Sequence, residues 1–475
     1  MPPMTHPGEP LADALRAGAA AVEPKALRTY TPTQAVFAES AGVYHWTPDG
    51  RRLFDYTSGV LVSNLGHNPA GWLRRFWGYM GWAGLPAMPD GGYLPAAALT
   101  TYNAVTPLEV AASTRLVETL KRRPGGGRLD LVVWAASGSE AVQKALWAGM
   151  ARDPARPLVL ATRHGFHGKK GLSQAVSGCE ADAERDPRVV FTRFPMAECL
   201  DIDARTAPFD STPFRAELDA LWAEHGGRIG TLITEPYLGG GGSYHPPAAY
   251  LQLLGDFCRT RDIVFVLDEV QANFGRTAAL FAFEHYGVEP DIVVLGKGLG
   301  NGVPVAAAVG RRDLFGPMGY GDASDTWSGN PLSCAAVLAT LDEFEAGDVF
   351  GHARRVSAVI EAGLVELKRS RAVAHVRGED GGMVWGVEFA DHAGRPAADW
   401  ANAFVLEAYR GDGPGGDGVH LLGPLAKKVV RVAPPLTITA DEATAAGAIL
   451  SAAVARMAAT ARPVTAEPVF APVGF

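Results

Sequence analysis

Cysteine is scarce. The four in the chain, Cys179, Cys199, Cys258 and Cys334, form no Cys-x-x-Cys pair and have no histidine cluster beside them in sequence. That argues against a disulfide framework and a cysteine-based structural zinc site; reduced, mostly packing thiols are expected, and no metal site. No stretch approaches the roughly 18 consecutive apolar residues that a membrane span needs. The 43 Lys and Arg are outnumbered by 51 Asp and Glu and form no long basic run, so neither a bilayer nor nucleic acid is an expected partner. The 56 glycines and 34 prolines are spread without a period, which excludes collagen-like, low-complexity and repeat architectures. Residues 1–24 place Pro3, Glu9 and Asp13 where a secretory leader would need a basic start and an apolar core. A soluble, cytoplasmic chain is the expectation.

At 475 residues, 47% hydrophobic, the chain exceeds one small core, and two or three lobes are expected. Apolar β-branched runs at 131–136, 157–162, 188–193, 229–235, 263–268, 292–295 and 303–309 alternate with helical patterns such as 140–151 and 250–261. Several runs are apolar on both faces, as a sheet covered by helices on both sides demands. The spacing predicts an α/β fold: a large domain over 111–340 with a mostly parallel seven-stranded sheet, and a smaller α+β lobe built from 1–110 and 341–475. Within that lobe, strands are expected at 35–39, 42–46 and 429–432, a Gly-broken strand pair over 374–389, helices at 351–370, 398–410 and 441–459, and a mobile Gly-rich turn at 411–418. The Trp-, Gly- and Pro-rich stretch 72–107 has no clear periodicity.

Five segments could carry chemistry, and most sit at strand ends, where open α/β sheets bind ligands. Ser137-Gly138-Ser139-Glu140 fits a capping box that leaves amides free for an anion, or an ordinary helix cap. Arg163-His164-Gly165-Phe166-His167-Gly168 offers an aromatic face to a flat ligand, or simply a core Phe. Asp268, closing an apolar strand, needs a cation or a donor; it could hold a ring nitrogen protonated, with Val270 on the same side, or serve as a turn cap. Lys297 stands alone among glycines in Leu295-Gly296-Lys297-Gly298-Leu299-Gly300, suited to a Schiff base or to a phosphate contact; Walker-A spacing is absent. Arg431, before two prolines, could grip a carboxylate or make a surface ion pair.

In this order, SGSEAVQKAL, FHGK, LDEVQANFGRT, LGKGLGNGVPVAAAVG, TWSGNPLSCAA and VRVAPPL resemble the class III (subgroup II) pyridoxal-phosphate aminotransferases, of the type I pyridoxal-enzyme fold, over roughly residues 35–460. The resemblance implies pyridoxal 5′-phosphate as cofactor and Lys297 as the lysine that carries it as an aldimine and shuttles the proton. It implies Asp268 at the pyridine nitrogen, Val270 and Phe166 sandwiching the ring, Gln271 at the ring hydroxyl and Gly138 with Ser139 as the phosphate cup. Glu235 would stand behind the ring, Thr326 would reach the phosphate of the neighbouring subunit in a homodimer or a higher oligomer, and Arg431 would bind the substrate carboxylate. Val60 and Tyr102 are further substrate-contact candidates. Ornithine and 4-aminobutyrate aminotransferases carry a second glutamate at the place of Gly240, opposite that arginine, and here it is missing. Arg431 then either stays uncovered or swings out when an uncharged tail is bound, and the glycines on both sides of position 240 leave room for the swing. The implied reaction is a ping-pong transfer of an amino group from an amine or ω-amino acid to a 2-oxo acid. The alternative keeps fold and cofactor but makes the chain a racemase or epimerase, a decarboxylating transaminase or a phospho-amine lyase.

Overall fold

The computed structural model describes residues 4–88, 91–182, 185–413 and 416–459. Strands β1 (Glu39–Ala41), β2 (Tyr44–Trp46) and β3 (Arg52–Asp55) come first. The central run is β4 (Leu131–Ala135), β5 (Leu158–Thr162), β6 (Val189–Thr192), β7 (Ile229–Thr234), β8 (Val264–Asp268), β9 (Ile292–Leu295) and β10 (Ala306–Gly310). Four more follow: β11 (Val373–Gly378), β12 (Trp385–Phe389), β13 (Gly418–His420) and β14 (Val429–Val432).

The central strands form one seven-stranded sheet in the order β4-β10-β9-β8-β7-β5-β6. The pairs from β9 across to β6 are parallel, whereas β10 runs antiparallel to both β4 and β9. Strands β5, β7, β8, β9 and β10 are buried along their whole length, which accounts for their unbroken apolar runs. The seven expected strands are all present, and the helices Gly138–Arg152 and Ala248–Arg261 lie between them in the chain as the periodicity requires. The sheet therefore delivers the residues after β7, β8 and β9 to one edge, side by side.

Two smaller sheets flank it. One is antiparallel, β11-β12-β14; the other, β1-β2-β3-β13, joins the two ends of the chain through parallel pairing of β3 with β13. The first hairpin differs from expectation. Gly42, with φ of 57°, is its turn rather than a strand residue, and this moves the strands to Glu39–Ala41 and Tyr44–Trp46. Within the unassigned stretch the structure places a helix, Ala70–Met80, whose Trp72 stacks on Phe76 and donates its indole N–H to Thr340 at 2.9 Å. The turn expected over 411–418 lies partly outside the described residues, as does the chain beyond 459.

One buried arginine ties three segments together. Arg276 donates through Nε and Nη2 to Oδ1 of Asn64 (2.9 and 2.7 Å) and through Nη1 to the carbonyls of Pro434 and Met383 (2.6 and 3.2 Å). Asn64 in turn donates Nδ2 to the carbonyl of Phe274 at 2.9 Å and accepts from the amide of Leu436 at 2.8 Å on its own carbonyl. Removing the guanidinium strands four buried acceptor contacts. Arg276→Met should therefore lower the guanidinium-chloride midpoint by the equivalent of about 3 kcal/mol or more. An unchanged midpoint would show that the hub contributes nothing.

Candidate active site

Glu235, Asp268 and Lys297 each follow or close one of the adjacent strands β7, β8 and β9, so the sheet alone brings two carboxylates and an amine together. Lys297 follows the extended Gly296 and has φ of 48°, in the left-handed region. That conformation is costly for a side-chain-bearing residue and is held here by a short turn, Lys297–Leu299, whose Gly298 has no room for a Cβ: one would lie 2.4 Å from Nδ2 of Asn64. The hub around Arg276 thus also fixes the lysine loop.

Asp268 is buried at the end of β8. Its Oδ2 lies 2.7 Å from Nδ1 of His167, and its Oδ1 accepts the amide of Val270 at 3.0 Å. Glu235 is buried beside it and accepts the amides of Phe166 (2.8 Å) and Gly239 (3.2 Å). Phe166 and His167 are thereby each tied to a different carboxylate. His167 is a residue that the sequence reading leaves without a role. It sits inside the segment that reading singles out, but its partner is 101 positions away, and only the parallel packing of β5, β7 and β8 reveals the pair. Its Nε2 is buried with no hydrogen-bond partner.

Arg431, on β14, donates from Nη1 to Oε1 of Gln271 at 2.7 Å. Gln271 is itself positioned by its carbonyl, which accepts from the Tyr237 hydroxyl at 3.1 Å, while the Tyr237 ring stacks on His245. In sequence, the glycines around Gly240 suggest room for Arg431 to swing. The structure corrects this: the loop is closely packed. A Cβ at Gly240 would lie 2.8 Å from that of Phe166, and one at Gly239 would lie 2.3 Å from Oε1 of Gln271. Glycine is present here because neighbours approach, and a glutamate at 240 would collide with the aromatic ring.

Burial sets the electrostatics. It pushes the Lys297 ammonium down to about 8, an effect that Arg431 reinforces and that Asp268 and Glu235 oppose. Burial, reinforced by Asp268 and opposed by His167 and the two amides, raises the Glu235 carboxyl to about 7. Burial also lowers Arg431, with Tyr237 and Glu235 acting the other way. An amine that is partly neutral near physiological pH stands in one pocket with a fixed carboxylate and a tethered guanidinium, a set suited to carbonyl capture and proton transfer.

At the start of the Gly138–Arg152 helix, Ser137 and Glu140 form the expected capping box, which leaves the amides of Gly138 and Ser139 unused by the cap. A Cβ at Gly138 would meet Cγ1 of Val270 at 2.9 Å, so the helix start abuts the residue beside Asp268. From the same helix the buried Lys144 donates to Asp325 (2.6 Å), Ser328 (3.0 Å) and the carbonyl of Trp134 (2.6 Å). This pins the loop on which Thr326 is exposed to solvent. Val60 lies half-buried in the turn after β3, at φ of 69°. Tyr102 is 57% exposed, and no described hydrogen bond joins it to the Lys297 pocket.

The sequence profile of the aminotransferase class-III family matches residues 95–454. Acetylornithine aminotransferase of Agrobacterium fabrum is 28% identical over 91% of this chain and 96% of its own length. 4-Aminobutyrate aminotransferase of Mycobacterium bovis is 30% identical over 82% and 84%. Among solved structures, a PLP-bound amine transaminase from an uncultivated Pseudomonas species is similar with a TM-score of 0.74 and 27% identity, covering 96% of this chain and 98% of that one. The chain belongs to the class III aminotransferases, enzymes that work with pyridoxal 5′-phosphate.

Proposed function

We propose that this aminotransferase moves an amino group from an amine or ω-amino acid to a 2-oxo acid by a ping-pong mechanism, with Lys297 and Asp268 as its catalytic residues. The observation that carries the reading is the clasp between Arg431 and the neutral amide of Gln271. A carboxylate partner would neutralise the guanidinium and have to be displaced by every acidic substrate. An amide leaves the positive charge in place and ties it by one bond. A donor with an uncharged tail can leave that clasp intact, whereas the carboxylate of an oxo acid outcompetes an amide because its hydrogen bonds are charge-assisted and bidentate.

The residues present fit the cofactor. The helix start at Gly138 and Ser139 suits its phosphate. Phe166 and Val270 suit the two faces of its ring, and Asp268 its ring nitrogen. Gln271 retains an amide NH2 for the ring hydroxyl, and Lys297 its aldehyde. When bound, the cofactor supplies a carbonyl that captures amines and a protonated ring that withdraws electrons from the carbon bearing nitrogen. Asp268, oriented by His167, keeps the proton on that ring nitrogen. Lys297, displaced by the donor, moves the proton from the donor carbon with its free Nζ. Glu235 braces the loop that carries Phe166, and Val60 and Tyr102 belong to the proposed substrate contacts.

The same reading makes the enzyme a homodimer, or a higher oligomer built from one, with Thr326 reaching the partner's phosphate. The exposure of Thr326, Trp327 (61%) and Tyr320 on a loop anchored by Lys144 supports it. The reading also divides the chain into a large domain over 111–340 and a small one from the two ends, and places the enzyme in the cytoplasm. Among the described residues no helix is long and apolar enough to cross a membrane.

A donor panel with pyruvate and 2-oxoglutarate tests the reaction: stoichiometric oxo product with amino-acid formation is expected from amine donors. Arg431→Ala should lower kcat/KM for the oxo acid on the order of 10–100-fold, the worth of a charged, forked hydrogen bond, and should change capture of a simple amine little. Acceptors as effective as with the unsubstituted enzyme would remove Arg431 from the site.

The pH dependence follows from the sign of the lysine shift. A protonated Lys297 cannot attack a carbonyl, so cofactor capture by the stripped chain should slow as pH falls below about 8 and level off above it. Followed by absorbance, a flat profile from neutral to alkaline pH would contradict the burial argument.

A further inference from the structure

Outside the pocket, one face of the β1-β2-β3-β13 sheet gathers an unusual set of side chains. Asp55 ends β3, His45 lies on β2 level with Leu53, and His420 on β13 is level with Asp55, so all three project on the same side. His67 joins them through the bridge between its own backbone and Gly42. Among the described residues, His45, Asp55 and His67 are the group whose ligand atoms all lie within 4.8 Å of one another. His45 is 4% and Asp55 0% exposed, so this is not a solvated surface cluster.

The geometry points to a divalent-cation site of the zinc class, and we propose Nε2 of His45, Nε2 of His67 and Oδ2 of Asp55 as its ligands. Oδ2 of Asp55 lies 2.7 Å from Nε2 of His67 and 3.6 Å from Nε2 of His45. Ligands about 2.0–2.1 Å from a tetrahedral zinc stand roughly 3.3 Å apart, so the first pair opens by about 0.6 Å and the second closes by about 0.3 Å. The outer contacts are already built. Oγ of Ser40 lies 2.7 Å from Nδ1 of His45; a proton on that nitrogen leaves the Nε2 lone pair directed at the site. Oδ1 of Asp55 accepts the amide and hydroxyl of Thr57 (2.8 and 2.7 Å) and the amide of Ser58 (3.0 Å), which leaves Oδ2 for the cation. Phe37 stacks on the His45 ring at 3.8 Å and meets His420 edge-on at 4.9 Å, so one aromatic ring holds both imidazoles in place. His420 adds a buried Nδ1 with no hydrogen-bond partner, on a ring whose centre is 5.8 Å from that of His45.

Nitrogen and carboxylate donors of this kind select zinc-like ions over magnesium or calcium. Binding is an exchange without redox change: the proton shared between His67 and Asp55 leaves to solvent, and the cation takes its place. The role is structural, since the ligands join β2, the end of β3 and the segment that follows the Val60 turn, where His67 bridges to Gly42, and it makes no demand on the aminotransferase reaction.

The test uses the cofactor-loaded full chain, stripped with a chelator and titrated with cobalt(II) as a spectroscopic probe. The expected result is uptake of about one ion per chain, with ligand-field absorption, displacement by zinc(II) and a raised thermal midpoint that the chelator reverses. Ser40→Ala should weaken binding on the order of 10-fold, and His45→Leu should abolish the ligand-field bands. A merely hydrogen-bonded cluster would give neither. Failure of the unsubstituted protein to take up cobalt overturns the site without reference to any variant. So does binding that survives His45→Leu, which would place the ion elsewhere.

Discussion

The pocket depends on how two neighbouring buried carboxylates are kept in place. Asp268 has an imidazole on one oxygen and an amide on the other; Glu235 has two amides. Because the amide of Phe166 serves Glu235 and the ring of His167 serves Asp268, two adjacent residues on one loop brace the ends of two strands. Breaking either bond would leave a buried oxygen without a donor and also free the aromatic ring from the position at which it excludes a side chain at residue 240. Lys297 then feels both carboxylates and Arg431, and its depressed ammonium is the net result of burial acting against that negative pair. The ionisation of the lysine is therefore a property of the frame around it.

Much of this frame is legible in the sequence because burial on both faces leaves a compositional mark. Runs such as Val264-Phe265-Val266-Leu267 can only be central strands or helix cores, and their length decides between these. Strand direction leaves no such mark. Nothing in Ala306–Gly310 tells that it runs against its neighbours, and nothing in Gly418–His420 tells that it pairs with β3, some 360 residues earlier. The site divides in the same way. Lys297, Asp268 and the capping box announce themselves locally, by position at a strand end or by spacing. The pairs His167–Asp268 and Gln271–Arg431 span 101 and 160 positions and exist only after folding.

Glycine carries two opposite meanings in a sequence. A run of four, Gly239 to Gly242, suggests freedom, yet the same absence of a side chain permits closest approach. Gln271 and Phe166 occupy the volume that side chains at 239 and 240 would need. The amide that holds Arg431 and the missing carboxylate at 240 are thus two aspects of one packing solution. With Phe166 in its present place there is no space for a side chain at 240, and the guanidinium is held by the neutral amide of Gln271.

A comparable dependence links the small sheet to the pocket. Ser58, Val60 and Leu61 all have left-handed φ, of 49°, 69° and 61°, conformations that cost non-glycine residues on the order of 1–3 kcal/mol each. A β-branched valine resists this region most. The turn persists because Asp55 takes the amides of Thr57 and Ser58, the Ser58 hydroxyl donates to the carbonyl of Ala433 at 2.8 Å, and Asn64 closes it against Arg276. Asp55 is fully buried, and its carboxyl is held well below the usual range by His45 and His67 against the opposing effect of burial. The imidazoles that keep this carboxylate charged therefore also keep its cap strong. A cation shared among them would act in the same direction. The backbone at Val60 thus takes its shape from a buried carboxylate several residues away.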